Sequence, residues 1–572
     1  MFPHANLNVF SLQSLQSLLQ TTLSTTIHGP FMIVTSARRV TGRAWALAGC
    51  YTALSPPRQL RYYSSEAQTS NELPVQRKPP QFRDYFVTHL PSSSLHPDPR
   101  GPTSPFHKLP RSESVPHTGD ISHSPTSFQP LIDRETTVVR IPLRSAKHHF
   151  GAVSARGTRP ANEDSYQAGV IDIPAFAKRP PASLTINRSS RYPRESRAAD
   201  TASGDPQIFY FGIFDGHGGA ECSTFLKEYL HEYIQNAAAD FQVQSSLRPQ
   251  QPVNGGDSLP VMQKKSLLNS WRRLVGGYFK RFKPPYFSYY GADSADAVSN
   301  DTVSIEEVME FAFLRADLDF VKAQAAKRDD DMALAEKPLN ENEILHSPSL
   351  TRTPQIGGRS RFKGGSTGSI AMISTPSPTP FWHPAGPSSL LVAHVGDTRV
   401  LLCSTATGEA IPLTSNHHPS SPIEAARLRR YAATFVTDSF GEERMSGLAN
   451  TRAFGDVQSK RIGVSAEPEV NRIEMGPAEY SFIVMMSDGI SGTLLDQEVV
   501  DIVKEARTPE QGARDVVSFA TEVTKEGDNA TCLVIRLGGW ERRLEGGVGS
   551  LGSKESREWR RQDATDPRRS RT

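Results

Sequence analysis

Four acidic clusters lie far apart in this chain, each inside a short motif: RPANED (159–164), FDGHGG (214–219), SDG (487–489) and DN (528–529). Carboxylates are rarely placed beside apolar segments without a partner, because desolvating them is expensive. Yet IFYFGIF (208–214) runs straight into Asp215, FIVMMS (482–487) into Asp488, and TCLVIRL (531–537) starts just after Asp528. Strand ends that bring several carboxylates together need cations to cancel their repulsion. Hard divalent ions such as Mg²⁺ or Mn²⁺ take oxygen ligands of this kind. Two such ions sharing one Asp would make a hydrolytic centre.

The elements that must position these groups read as alternating strands and helices. Strands are expected at 390–395, 399–403, 482–487 and 531–537, besides the run 208–214. Cys222, Phe225, Leu226, Tyr229, Leu230, Tyr233 and Ile234 recur at helical spacing directly after the glycines of FDGHGG. Ser304 with Glu307 predicts a capping box for a second helix, carrying Ile305, Val308, Met309, Ala312 and Phe320. Ser421, Pro422 and Glu424 predict the start of a third. Periodicity alone does not fix how these elements are connected.

A chain of 572 residues exceeds one compact core, so one large domain with extensions is expected. The net charge of +3 is uneven: residues 1–65 hold five Arg, no Lys and no acid, leaving 59 basic residues against all 61 acids. That balance offers no reason to expect nucleic-acid binding. No segment reaches the ~18 apolar residues of a membrane-spanning helix. The four cysteines form no CxxC pair, and Cys403 and Cys532 lie in apolar runs, as buried free thiols do.

The acid-free start reads as a mitochondrial presequence over 1–63. Arg38, Arg39 and Arg43 lie beside Trp45, Leu47 and Tyr51, as in an Arg-bearing amphipathic helix, and RYYSSEA (61–67) resembles a matrix-protease site, with Met32 as an alternative start. A disordered basic arm is the plainer reading. Residues 64–145, rich in Pro, Ser and His, read as a disordered or loosely docked linker. A domain over 146–540 carries insertions at 174–206 and 236–300, and 541–572 reads as a disordered tail. Within the second insertion, SLLNSWRRLVGGYFKRF (266–282) is basic and aromatic. It would pack as a lid or touch an anionic membrane surface or acidic substrate.

Nine motifs in order resemble the metal-dependent PP2C (PPM) family of Ser/Thr protein phosphatases. They are RGTRPANEDSY (156–166), FGIFDGHGGAECSTFL (211–226), GGSTGSIAMI (364–373), LLVAHVGDTRVLLC (390–403), LTSNHHPSSPIEAARLRRY (413–431), GLANTRAFGDVQSK (447–460), VSAEPEV (464–470), FIVMMSDGISGTLLDQEVV (482–500) and GDNATCLVI (527–535). The resemblance implies an α/β fold, an α-β-β-α sandwich of two antiparallel sheets flanked by helices. It implies two Mg²⁺ or Mn²⁺ ions, with Asp215 bridging both, the Gly216 carbonyl on one, and Asp488 and Asp528 as further ligands. Glu163 and Asp164 would hold metal-bound waters, and Asp397 would share a weaker third ion with Asp488. Arg159 would clamp the phosphate, its planar fork suiting two oxygens. His217 would protonate the departing seryl or threonyl oxygen. Taken singly, Asp488 and Asp528 are ordinary turn residues, His217 a solvent histidine, and Asp397 a turn residue pairing Arg399.

The chain departs from the family pattern at Asn416, where Asp usually precedes His, and at Gly368 and Ser369, where Ala is common. No Walker loop or Cys-nucleophile signature is present. A catalytically inactive PP2C-fold binding or scaffold protein is the alternative from another class; it should have lost a metal-binding carboxylate, and none is missing. The motif details, presequence and insertion resemble fungal mitochondrial PP2C proteins. For that group the resemblance implies a monomer in the mitochondrial matrix acting on phosphorylated proteins, pyruvate dehydrogenase E1α among them, with a role in mitophagy as another implication.

Overall fold

The computed structural model describes residues 85–91, 107–108, 136–142, 148–179, 205–249, 259–287, 303–327, 356–358, 360–377, 379–429, 435–437, 443–445, 447–524, 527–543 and 550–565. The presequence, its cleavage motif, Cys50 and most of the 174–206 insertion lie outside the described residues. Within the expected linker, β1 (Tyr85–Pro91), β2 (His107–Lys108) and β3 (Thr136–Pro142) form an antiparallel sheet in the order β1-β3-β2. The two longer segments, YFVTHLP and TTVVRIP, are rich in β-formers. A composition averaged over the Pro- and Ser-rich surroundings hides them.

The domain itself is built on β4 (Phe150–Ala155), β5 (Ser165–Ile171), β6 (Ile208–His217), β7 (Gly365–Ser374), β8 (Ser388–Val395), β9 (Arg399–Ser404) and β10 (Ala410–Pro412), followed by β11 (Phe435–Thr437), β12 (Glu443–Met445), β13 (Phe454–Gly455), β14 (Glu469–Met475), β15 (Tyr480–Met486) and β16 (Ala530–Arg536). One sheet runs β14-β8-β7-β6-β5, with β13 paired to β7; the other runs β10-β9-β15-β16-β4. All these pairings are antiparallel. The expected strands are present, with ends shifted by one to three residues: β15 and β16 start earlier and stop one residue sooner, and the others run longer.

Successive side chains of a strand point to opposite faces, and here both faces are covered. Phe209, Phe211 and Ile213 join Val392, Leu402, Ile483, Met485 and Leu533 in the core between the sheets. Ile208, Tyr210 and Phe214 face outward under α1 (Glu221–Asp240), α2 (Leu259–Leu274) and α3 (Ile305–Ala325). On the other sheet, Val484, Met486, Cys532 and Val534 pack on α5 (Asp496–Glu505) and α6 (Pro509–Val523), which follow the short α4 (Pro422–Arg429). The architecture is therefore a two-sheet sandwich with helices on both outer faces. Cys403 and Cys532 are buried and free, as is Cys222. Among the described residues no helix is long and apolar enough to cross a membrane.

The helix starts differ in detail from the expectation. Ser304 Oγ accepts from the Glu307 amide at 3.2 Å, but the Glu307 carboxylate pairs with buried Lys264 of α2 instead of turning back. Glu424 likewise turns from its helix end to Arg427, Thr451 and Arg452. In both cases a buried cation outcompetes the local cap, since a buried carboxylate needs a charged partner. The C-terminal stretch read as a tail contains α7 (Ser550–Thr565), fastened to the domain by polar contacts. Arg560 donates to Glu498 and to the Thr493 carbonyl, and Ser553 to Asp501. A helix held by ion pairs has no apolar stripe to announce it.

The basic aromatic insertion is a packed element. Trp271, Tyr278, Phe279 and Phe282 are buried in the cluster under α1 and α3. Trp271 stacks on Phe279 at 4.4 Å and donates from its indole nitrogen to the Leu314 carbonyl of α3. The exposed members are all polar: Ser266, Asn269, Arg273, Lys280 and Arg281. Its aromatic groups therefore cannot insert into a membrane while the domain is folded, which agrees with the expectation that the segment packs on the domain and leaves contact with an anionic partner to its exposed basic residues. Trp271→Ala should lower stability by roughly 3–5 kcal/mol, the usual cost of emptying a buried aromatic site. Arg273→Glu should stay within about 0.5 kcal/mol. Urea unfolding of the two variants checks this; equal and negligible effects would return the segment to the surface.

Candidate metal centre

The acidic motifs converge because their strand ends meet at one edge of the sandwich. Ala155 at the end of β4 pairs with Ala530 at the start of β16, and Cys532 of β16 with Met486 of β15. That brings the 156–164 loop, Asp488 and Asp528 together. Ser165 at the start of β5 pairs with Phe214, which adds Asp215 from the other sheet. Asp397 lies in the turn from β8 to β9, where the chain crosses between the sheets.

Carboxylate oxygens of Asp215, Asp397 and Asp488 all lie within 4.8 Å of one another. Asp215 is pinned by its strand: Ser366 Oγ of β7 donates to its carbonyl at 2.8 Å. Gly216 packs so closely on the 163–164 backbone that a Cβ would sit 2.5 Å from the Glu163 carbonyl oxygen. Asp488 opens the single helical turn Asp488–Ser491, its amide 3.4 Å from Asp215 Oδ2. Asp528 stands apart from this group, accepting from Arg159 at 2.6 Å and from the Asn529 amide at 2.8 Å. Arg159 keeps over half its side chain exposed.

These charges raise one another's proton affinity. Burial, then Asp488, Asp164 and Asp397, hold the Asp215 carboxyl well above the usual carboxylate range. Asp488 shows some surface to solvent, but the protein packed around its carboxylate, with Asp397 and Asp528, pushes it up to about 7. Burial raises Asp164 as well. Its Oδ2 accepts from Ser487 at 2.9 Å and Thr531 at 2.7 Å, whereas its buried Oδ1 has no hydrogen-bond partner among the described residues. Burial alone would raise Asp397 too, but hydrogen bonds from His418 and Asn450 outweigh it and leave this carboxyl lowered. A divalent cation would relieve both the repulsion and the orphaned oxygen. The donor set, all oxygen, fits Mg²⁺ or Mn²⁺.

His217 follows two residues after Asp215, its Nε2 2.9 and 3.0 Å from the two oxygens of Asp456. Burial lowers the imidazole's proton affinity, but the Asp456 bond and charge, then Asp397 and Glu163, outweigh it and leave the pKa raised. Asp456 holds a left-handed backbone with φ 43°, uncommon for a residue with a side chain. It is held by its neighbours: Gly455 N donates to Asp317 of α3 at 2.8 Å, and fully buried Lys460 bonds the same carboxylate at 2.6 Å.

Sequence reasoning had assigned no role to Asp456, although it lies in GLANTRAFGDVQSK. Asn529 was also unassigned. Its side chain bonds the Glu163 amide and the carbonyls of Arg156 and Ala161, and so staples the 156–164 loop to β16. The pairing of Asp397 with Arg399 is not made; Arg399 grips Asp496 instead, at 2.5 and 3.0 Å. Asp397 instead accepts from Asn450 at 2.9 Å.

An α-β-β-α sandwich with a carboxylate cluster at one edge defines a class, and comparison with known proteins supplies the family. A family model described as protein phosphatase 2C matches residues 299–529. The chain is 31% identical over 406 residues to protein phosphatase 2C homolog 4 of Schizosaccharomyces pombe, covering 71% of this chain and 84% of that protein. It is 35% identical over 152 residues to the mitochondrial protein phosphatase 1K of Xenopus laevis, covering 26% of this chain and 40% of that one. A serine-threonine phosphatase 2C structure from Toxoplasma gondii aligns over 68% of this chain and 94% of its own, at 16% identity and a TM-score of 0.39. The chain belongs to the protein phosphatase 2C family, whose members are metal-dependent protein phosphatases.

Proposed function

We propose that this protein hydrolyses phosphoserine and phosphothreonine in mitochondrial proteins at a two-cation centre. The observation that carries the reading is the convergence of Asp215, Asp397 and Asp488, mutually repelling carboxylates from three separate chain segments. Asp215, the Gly216 carbonyl, Asp488 and Asp528 would hold two ions, with Glu163 and Asp164 reaching them through water. Asp397 and Asp488 would hold a weaker third. Bound Mg²⁺ or Mn²⁺ would supply an acidified water and Lewis-acid polarisation of the phosphate.

The protein's own groups do the rest. Arg159 is exposed beside Asp528 and would orient the phosphate with the part of its fork that Asp528 leaves open. His217 donates the proton that the departing serine or threonine oxygen needs, and Asp456 keeps the ring aimed. The intact acidic set speaks against an inactive scaffold.

The acid-free, Arg-bearing start and the mitochondrial relative support a mitochondrial location. Matrix phosphoproteins, pyruvate dehydrogenase E1α among them, are the proposed substrates, and a monomer the proposed state. The purified chain should release phosphate from a phosphothreonine peptide with Mn²⁺ and stop with EDTA; metal-independent turnover would refute the mechanism. Residues 1–70 fused to a fluorescent reporter should carry it into mitochondria, and a cytosolic reporter would refute the location.

A further inference from the structure

The turn that carries Asp488 is too short to hold itself. Asp488–Ser491 is a helix of four residues, well below the ~12 at which a helix becomes even marginally stable alone in water. The residues that follow close it. The Gly492 amide donates to the Asp488 carbonyl at 2.7 Å, and the Thr493 and Leu494 amides each donate to the Ile490 carbonyl at 2.9 Å. The Thr493 hydroxyl lies 3.4 Å from the Gly489 carbonyl oxygen and 3.2 Å from the Thr524 hydroxyl at the end of α6. The aim of the Asp488 carboxylate therefore depends on what fixes Thr493 and its neighbours.

That fastening comes from the C-terminal helix. Arg560 of α7 donates from Nη1 to the Thr493 carbonyl at 2.8 Å and from Nη2 to Glu498 Oε1 at 2.6 Å. Glu498 is buried, and its other oxygen accepts from the Leu495 amide at 3.0 Å. A buried carboxylate needs a cation, and the guanidinium fork serves it and a backbone carbonyl at once. Arg560 thus bridges the short link between the Asp488 turn and α5, bonding Thr493 directly and Leu495 through Glu498. The guanidinium also lies over the Phe519 ring of α6, 5.3 Å from its centre.

We infer that Arg560 is a positioning residue for Asp488, so that α7 sets the metal affinity of a centre to which it contributes no ligand. The inference rests on the metal-centre reading above. Arg561, the next residue, supplies the comparison. It bonds Glu522 of α6 at 3.2 Å, pairs with Glu558 of its own helix and lies over the same Phe519 ring at 5.2 Å. It fastens the same helix to the domain through α6, away from the link that closes the Asp488 turn.

Calorimetric Mn²⁺ binding to the full chain, and turnover of p-nitrophenyl phosphate against Mn²⁺ concentration, separate the two arginines. Arg560→Ala should weaken Mn²⁺ binding by about tenfold, the usual order for an outer partner of a metal site. Its turnover should fall at limiting Mn²⁺ and return towards wild type at saturation, a rescue that general unfolding would not show. Glu498→Gln should act in the same direction, and the double variant should go little further than the larger single one, since both act through one contact. Arg561→Ala should leave Mn²⁺ affinity unchanged. Urea unfolding of every variant reports any general loosening. Lost stability with wild-type Mn²⁺ affinity in Arg560→Ala would overturn the positioning role and leave α7 a stabilising strap. Equal weakening of Mn²⁺ by both arginine variants would overturn the assignment to Arg560. A wild-type chain that binds no Mn²⁺ would overturn the metal centre itself, and this inference with it.

Discussion

Asp215→Asn should abolish phosphatase activity, by on the order of 10³-fold or more, equivalent to about 4 kcal/mol of transition-state stabilisation. The same change should make the metal-free protein more stable. Asp215 is enclosed by protein and faces Asp488, Asp164 and Asp397, so its folded-state carboxyl is held well above the usual range. An acid whose pKa is raised by folding binds more protons folded than unfolded. Without cations, wild-type stability should therefore fall as pH rises above about 4, and Asp488, pushed up to about 7, acts in the same direction. Asn carries no charge to desolvate and flattens that slope. Mn²⁺, which binds only the folded state, should raise the wild-type melting temperature and leave that of Asp215→Asn nearly unchanged. Thermal melts from pH 5 to 8, with Mn²⁺ and with EDTA, read all three effects. Retained activity, or an undiminished Mn²⁺ shift in the variant, would sink the two-ion account.

His217→Gln should slow phosphothreonine peptide hydrolysis by on the order of 10²–10⁴-fold while sparing p-nitrophenyl phosphate. An alkoxide leaves only with a proton, whereas nitrophenolate needs none. The geometry adds a second expectation. Both Asp456 oxygens lie within hydrogen-bond distance of Nε2 and orient that ring. Asp456→Asn should therefore show the same substrate-selective loss in weaker form, with the proton-donor limb of the pH–rate profile moved to lower pH. Equal losses on both substrates would remove His217 from the proton transfer. A loss on both substrates confined to Asp456→Asn would instead mark its left-handed turn as a folding requirement.

What could be read from the residues alone follows from local physics. A carboxylate at the end of an apolar run is costly anywhere, so Asp215, Asp488 and Asp528 stood out before any fold was known. Helical spacing after FDGHGG located α1, and apolar runs located β6, β8, β9, β15 and β16. Segments held by other means were not legible. The C-terminal helix has no apolar stripe because Arg560 and Ser553 fasten it through polar atoms. The mixed basic and aromatic residues of 266–282 left lid packing and surface contact both open, and the structure turns Trp271 and Phe279 inward onto α3. Charge is read along the chain, and burial is a property of what packs against it.

The sequence by itself determined the family, strands β6, β8, β9, β15 and β16, the starts of α1, α3 and α4, and the acidic residues from which a centre could be made. Motif order and side-chain type are local, and they survive without coordinates. Only the tertiary structure decided which of those acids meet. Asp215, Asp397 and Asp488 come within 4.8 Å, whereas Asp528 turns to Arg159. The structure also placed Asp456 behind His217, Asn529 under the 156–164 loop and His418 beside Asp397. None of these three contacts has a sequence signature, because each joins residues from strand ends and loops that only sheet pairing brings to one edge.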